Sequence, residues 1–141
     1  MSLDLAPALY AAVASNVGVA SQLGIYNGEP AIFTRRPIPE ASTYPLVAIS
    51  PDVTIGDEDG TNYDSPTVVR DVTVYGLGEV QYRAVETLAY LLRTQFHRQR
   101  DSITVTGWNV VSIIASGPRS APTDDDQTIG RVITLTIKLA S

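Results

Sequence analysis

The chain contains no cysteine. That absence excludes disulfides, thiolate metal sites, iron–sulfur clusters and cysteine nucleophiles together, and it fits a cytosolic product. Histidine is nearly as scarce: His97 stands alone, so no site can draw on two imidazoles. Charged residues make up 18% of the sequence, below the ~25% of ordinary soluble domains. Ten Lys+Arg against fifteen Asp+Glu leave a net charge of −5, which opposes a protein that lives by neutralising phosphates. Long apolar runs are missing as well. The Ala/Val-rich start is broken by Ser15, Asn16, Gly18, Ser21 and Gln22, short of the ~20 apolar residues of a membrane span. No Lys or Arg precedes it and Asp4 lies within it, so no secretory signal is expected.

Apolar residues are what the chain does have, at 44%, too many for disorder. Its 141 residues are expected to form one domain, 1–141. At this size roughly 68–70% of the surface is buried on folding. A surface poor in charge fits a subunit whose sides are covered by neighbours. There is no internal repeat, low-complexity tract or linker.

The pattern predicts a helix over residues 4–15, capped by Asp4, with Pro7 in its first turn and Leu5, Leu9, Ala12 and Val13 on one stripe. A further turn over 19–23 stops at Gly24. Ile25-Tyr26 and Ala31-Ile32-Phe33 flank Asn27-Gly28 and read as a tight hairpin. Residues 34–43 hold Arg35, Arg36, Pro37 and Pro39 and read as an extended loop. Residues 44–50 read as a strand with Pro45 near its start, where a missing donor is tolerated. Residues 51–66 read as a flexible acidic excursion. Residues 67–75 form the clearest strand, with Val68, Arg70, Val72 and Val74 on one face and Val69, Asp71, Thr73 and Tyr75 on the other.

A main helix is expected over 79–100, with Val80, Ala84, Leu88, Leu91, Leu92 and Phe96 at helical spacing. Glu79 in the first turn and Arg98 and Arg100 in the last agree with the helix dipole, and Glu79 and Arg83 are spaced for an ion pair. Residues 102–106 and 108–116 read as a hairpin about Thr106-Gly107. Residues 117–130 read as a second loop. Residues 131–140 read as a last strand, with Ile133, Leu135, Ile137 and Leu139 facing one way and Val132, Thr134, Thr136 and Lys138 the other. The order lacks regular βαβ alternation. It predicts an α+β fold: a mainly antiparallel sheet with the long helix and the N-terminal helix packed on one face.

Patterns that carry chemistry fail one by one. Gly76-x-Gly78 lies between a strand and a helix, but the third glycine of a dinucleotide fingerprint is Gln81, and no P-loop occurs. The acidic segment Asp57, Glu58, Asp59, Asp64 misses calcium-loop spacing: counted from Asp57, the sixth position is Asn62 and the twelfth Val68. Asp124, Asp125 and Asp126 are consecutive and cannot all converge on one ion from a regular element. His97, near Asp101, has no Gly-x-Ser-x-Gly partner and reads as a helix-end histidine. No two carboxylates stand out as a glycosidase pair. Arg35, Arg36, Arg93, Arg98 and Arg100 lack the interleaved aromatics of a nucleic-acid groove. Neither metal, cofactor nor catalytic residue is therefore expected, and the chain reads as a non-enzyme. Trp108 reads as a core or interface anchor. Tyr82, Glu86, Tyr90, Arg93 and His97 share a second face of the long helix. That face is either half-exposed helix or, through Tyr82, Tyr90 and Arg93, a subunit contact, where Tyr and Arg are enriched.

The order of local motifs resembles a family. Leu-x-x-x-Leu-Tyr-Ala-Ala-Val over 5–13 is followed by Gly24-Ile25-Tyr26, then by Tyr-Pro-Leu-Val-Ala-Ile-Ser over 44–50 and a variable acidic loop. Arg-Asp-Val-Thr-Val-Tyr-Gly over 70–76 leads into Tyr-Arg-Ala-Val-Glu-Thr-Leu-Ala over 82–89. Gly-Arg-Val-Ile-Thr-Leu-Thr-Ile over 130–137 closes the chain. Over residues 5–139 this resembles the tail terminator, or tail-to-head joining, proteins of long non-contractile phage tails and related gene transfer agents.

The resemblance implies a small α+β subunit of a hexameric ring, located in the virion at the neck end of the tail and made in the host cytoplasm. Its implied partners are further copies of itself, the tail tube protein and a head–tail connector or stopper protein. DNA would pass the lumen without sequence-specific binding, and no membrane is involved. A negative lining does not hold DNA. The candidate lumen or docking residues are Asp57, Glu58, Asp59 and Asp64, with Arg119, Asp124, Asp125 and Asp126 as a second candidate loop. Another neck or tail-tube ring component, or a small ligand-binding or enzyme domain, are the alternatives.

Overall fold

The computed structural model describes residues 5–34, 43–49, 54–56, 67–121, 123 and 127–140, with the backbone alone at 54–56 and 79. Its centre is the strand β6, Thr67–Leu77, whose period-two alternation buries Val68, Arg70, Val72 and Val74 beneath helices. β6 pairs antiparallel with β8, Thr128–Ala140, over its whole length, setting Val68 opposite Ile137 and Val72 opposite Ile133. β7, Asn109–Ser120, pairs with the far side of β8 and forms one edge. On the other side of β6 lie β4, Leu46–Ile49, and then β3, Ile32–Phe33, which runs parallel to β4. β5, Thr54–Gly56, pairs with the start of β6 on that same side. The fold is α+β, and among the described residues every pairing but β3–β4 is antiparallel.

One helical layer covers one face of the sheet. α1, Ala6–Ser15, carries Pro7 in its first turn and buries Leu9, Ala12 and Val13. α2, Val17–Ala20, adds a single turn that buries Val19. α3, Gly78–Phe96, lies over β6, β8 and β7 and fully buries Val85, Leu88, Ala89, Leu92 and Phe96. These residues share a core with Val72, Ile113, Ile133, Leu135, Ile137 and Leu139 of the sheet. Gln95 ties the helices together: its Nε2 donates to the Ala12 carbonyl and its Oε1 accepts from Asn16 Nδ2. The opposite sheet face is partly closed too, since Leu46, Ala48, Thr73 and Val132 are buried there.

Several local expectations are corrected. The N-cap position of α1 is Leu5, with no side-chain cap; Asp4 lies outside the described residues. The turn after α1 spans Val17–Ala20 rather than 19–23. Asn27-Gly28 does form a tight turn, with φ of 52° and 79°, both left-handed as the mirror-image hairpin turn requires. Its two arms are β1, Ile25–Tyr26, and β2, Glu29–Pro30, while Ile32–Phe33 leaves the hairpin to join the main sheet. Thr54–Gly56, expected in a loop, is a strand.

α3 ends at Phe96, so Arg98 and Arg100 stand beyond it; Arg98 has φ 60° and Arg100 opens a 3-10 turn, Arg100–Ser102. Val80 points to solvent at 91% exposure. The inward place in the first turn is used by Gln81, whose Oε1 accepts the Leu77 N–H and whose Nε2 donates to the Tyr44 carbonyl. No strand forms over 103–105, although the Trp108 N–H donates to the Val105 carbonyl across the expected turn. β7 instead runs on to Ser120 and pairs with β8, which shortens the expected second loop. Gly117 and Pro118 sit in a register shift inside that pairing.

Candidate functional site

The outward side of α3, towards the β7 edge, gathers the long polar and aromatic side chains that the core does not use. Helical periodicity places Tyr82, Glu86, Tyr90, Arg93 and His97 on it, as the sequence indicates. Tyr82 is 48% exposed and Tyr90 63% exposed. Arg93 is half-buried, in the last turn of the helix, where a cation suits the dipole.

Arg131, on β8, braces this side from below. Its Nε donates to Glu86 Oε1, and its guanidinium carbon lies 5.6 Å from the centre of the Tyr82 ring. Its Nη1 donates to the Gly130 carbonyl. One cation therefore fixes both an acid and a ring of the helix against the sheet. The half-exposed pair contributes little to stability, ~0.2–1 kcal/mol, but it sets where Tyr82 sits. Arg131 was not among the residues singled out from the sequence. A charged residue beginning an otherwise apolar strand face, opposite Val74, is the signal that marks it.

His97 caps α3, and its Nδ1 accepts the backbone N–H of Ala115 at 3.1 Å. The next residue, Arg98, donates its N–H to the Ile113 carbonyl at 2.7 Å. The helix end thus occupies backbone groups on the outer edge of β7. His97 is a structural helix-end residue held by the sheet. Among the described residues no three His, Asp or Glu side chains group as metal ligands.

Gly76 and Gly78 belong to a direct strand-to-helix passage with no intervening loop. A Cβ on Gly76 would overlap Val85 Cγ2, so the glycine serves close packing of α3 on β6. The Gly78 N–H donates to the Gln127 carbonyl at 2.7 Å and is not turned towards a ligand. Trp108 is half-buried against the core.

The structure does not assemble all the candidates in one place. Arg119 is exposed on β7 beside the bulge, opposite Val132 on the sheet face without helices. Tyr82, Tyr90 and Arg93 lie on the helix layer instead. Asp57, Glu58, Asp59, Asp64, Asp124, Asp125 and Asp126 lie outside the described residues, as do Arg35 and Arg36.

No family model and no curated protein matches the chain. Among solved structures, a chain from the virion of a native gene transfer agent particle shares the fold with a TM-score of 0.70. The match covers 98% of this chain and 96% of that one, at 13% identity.

Proposed function

We propose that this chain is a structural subunit of a phage-like or gene-transfer-agent-like particle. Its role is that of a tail terminator: a ring, six copies in the reading that the sequence resemblance implies, that caps the tail tube and joins the tail to the head connector. The observation that carries this is the fold shared over nearly the full length of both chains with a component of a gene transfer agent virion. The tail-terminator order of motifs over residues 5–139 supports the finer assignment. So does an outward helix side rich in Tyr and Arg, the composition expected where subunits meet.

In this reading the protein acts by shape and charge. Tyr82, Tyr90 and Arg93 meet the neighbouring subunit. The acidic segments at 57–64 and 124–126, with Arg119, face the lumen or the docking partners. The partners are the tail tube protein and the head–tail connector, and DNA passes without specific binding.

Deleting the gene from the particle that encodes it tests the assignment. Tails of abnormal length, or tails that never join heads, are expected. Normal infectious or gene-transferring particles would refute it, and purified protein that stacks into long filaments would identify a tube subunit instead.

A further inference from the structure

Large apolar side chains stay in water on both broad faces of this two-layer molecule. On the helix layer they lie along the crest of α3. Val80, Arg83, Thr87 and Tyr90 recur at helical spacing directly away from the buried stripe, and all four are exposed. From Val80 to Tyr90 the crest runs about 15 Å. Leu77, at the passage from β6 into the helix, is exposed at its near end. Arg83 is the one charged residue among these.

The other face is the side of the sheet without helices. There Val69, Thr136 and Ile114 stand opposite one another across β6, β8 and β7. Ile114 leaves nearly half its surface in water, as does Val111 in the register shift before Ser112. The next row holds Asp71, Thr134 and Ser116, and the row on the other side holds Thr67, Lys138 and Ser112. A sheet face turned to water usually alternates in charged residues. Here hydroxyl and aliphatic groups dominate, and Asp71, Lys138 and Arg119 are the charges that the described parts of β6, β7 and β8 place there. Asp71 is half-buried, and its Oδ1 accepts the Thr134 hydroxyl, which fixes the acid beside the Ile114 row.

We infer that copies of this chain associate head to tail, the crest of α3 (Val80, Arg83 and Tyr90) seating on the helix-free sheet face of the next copy at Val69, Ile114 and Thr136. This rests on the ring reading above and names the contact that builds the ring. The neighbour's helix supplies a third layer, packed on the sheet as the chain's own helices pack on its other face. Each copy presents both patches, on opposite faces, which is the heterologous arrangement that a cyclic ring requires. The charges agree with it: Arg83 on the crest meets Asp71 beside the Ile114 row, whereas crest against crest would bring Arg83 towards its own copy.

Two variants that each spoil one patch test it. The crest variant carries Val80→Asp and Tyr90→Asp; the sheet variant carries Ile114→Glu. Assembly is followed by native mass spectrometry and electron microscopy at concentrations where wild type assembles. Either variant alone is expected to associate at least about thirtyfold more weakly than wild type. An equimolar mixture keeps one intact contact, the crest of the sheet variant on the sheet face of the crest variant. It is therefore expected to give one-to-one pairs and no rings. The altered side chains are all exposed, so each variant should keep the wild-type Tm within a few degrees. Thr136→Glu, exposed in the same row on β8, replaces Ile114→Glu if that variant fails to fold.

Variants that form rings as readily as wild type would overturn the contact and leave the ring reading standing. Pairs formed by one variant alone would do the same, since the contact then joins like patches. So would a mixture without pairs. If wild type closes its ring only at the tail end, each variant is expected to leave particle tails bare, and ringed tails would overturn the contact. Wild-type protein that forms no ring, either in solution or at the tail ends of its own particles, would overturn both.

Discussion

The two sides of α3 differ in what they do for a single chain. The inward side, Val85, Leu88, Ala89, Leu92 and Phe96, is completely buried in the core shared with the sheet and the N-terminal helices. The outward side exposes Val80, Tyr82 and Tyr90 and places Arg93 among them. Folding draws chiefly on the first side, and the second adds only the Arg131–Glu86 pair and the His97 bond to Ala115. Tyr82 and Tyr90 on the second side leave about half or more of their area in water and gain correspondingly less from folding. In the reading proposed above, one side of the helix serves stability and the other association.

The largest expected effect falls on the inward side. Leu88→Ala should cost ~2–5 kcal/mol and lower the Tm markedly, whereas exposed Thr87→Ala should leave it nearly unchanged. Chemical denaturation of both variants checks this; equal effects would mean that the helix is rotated from its position here.

Gly76→Ala should cost ~1–3 kcal/mol, because the added methyl meets Val85. Combining it with Val85→Ala should recover part of the loss of the two single changes, a coupling that a double-mutant cycle reads directly. Gln95→Ala should cost about 1 kcal/mol, by removing the bonds to Ala12 and Asn16 that join α3 to the N-terminal helices.

On the outward side, Glu86→Gln should cost ~0.2–1 kcal/mol at low salt and less at high salt. Tyr90→Ala should change the unfolding free energy by no more than about 0.5 kcal/mol, yet weaken association of the subunits. A Tyr90→Ala protein that unfolds early would join the two sides of the helix into one role and erase the contrast.

β6 and β8 were legible in the sequence because a strand buried on one face must alternate. Ile133 to Leu139 do so without interruption, and Val68 to Val74 do so except that Thr73 is buried as well. Their registers, and the packing of both helices on one face, follow from that alternation. The existence of α3 was equally legible, but its rotation was not. Val80 continues the spacing of Ala84, Leu88 and Leu91, whereas the buried stripe runs through Val85, Leu88, Leu92 and Phe96 with Gln81 in its first turn, whose amide binds Leu77 and Tyr44. Tyr44 is distant in sequence, so no local pattern encodes it.

Residues 103–105 mislead for a related reason. Ile103 and Val105 are buried and Thr104 is exposed, which looks like a strand, yet a strand also needs a partner. At the site, the outward Tyr82, Tyr90 and Arg93 could be read from helical spacing. The Arg131–Glu86–Tyr82 cluster could not, because it spans two elements whose pairing appears only in three dimensions.

The edge of β7 bears on how such a protein keeps its numbers finite. A free strand edge is an open hydrogen-bond ladder, and identical chains can extend it without limit, as fibrils do. Here the Ile113 carbonyl and the Ala115 N–H are already taken by Arg98 and His97. Further along the same strand, Pro118 has no N–H to offer and sits in a bulge. No continuous ribbon can therefore propagate from this margin. In the ring proposed above, contacts between copies on that side would run through side chains, whose strength salt can adjust. A misassembled pair can come apart again, which a locked β-ladder between chains would not allow.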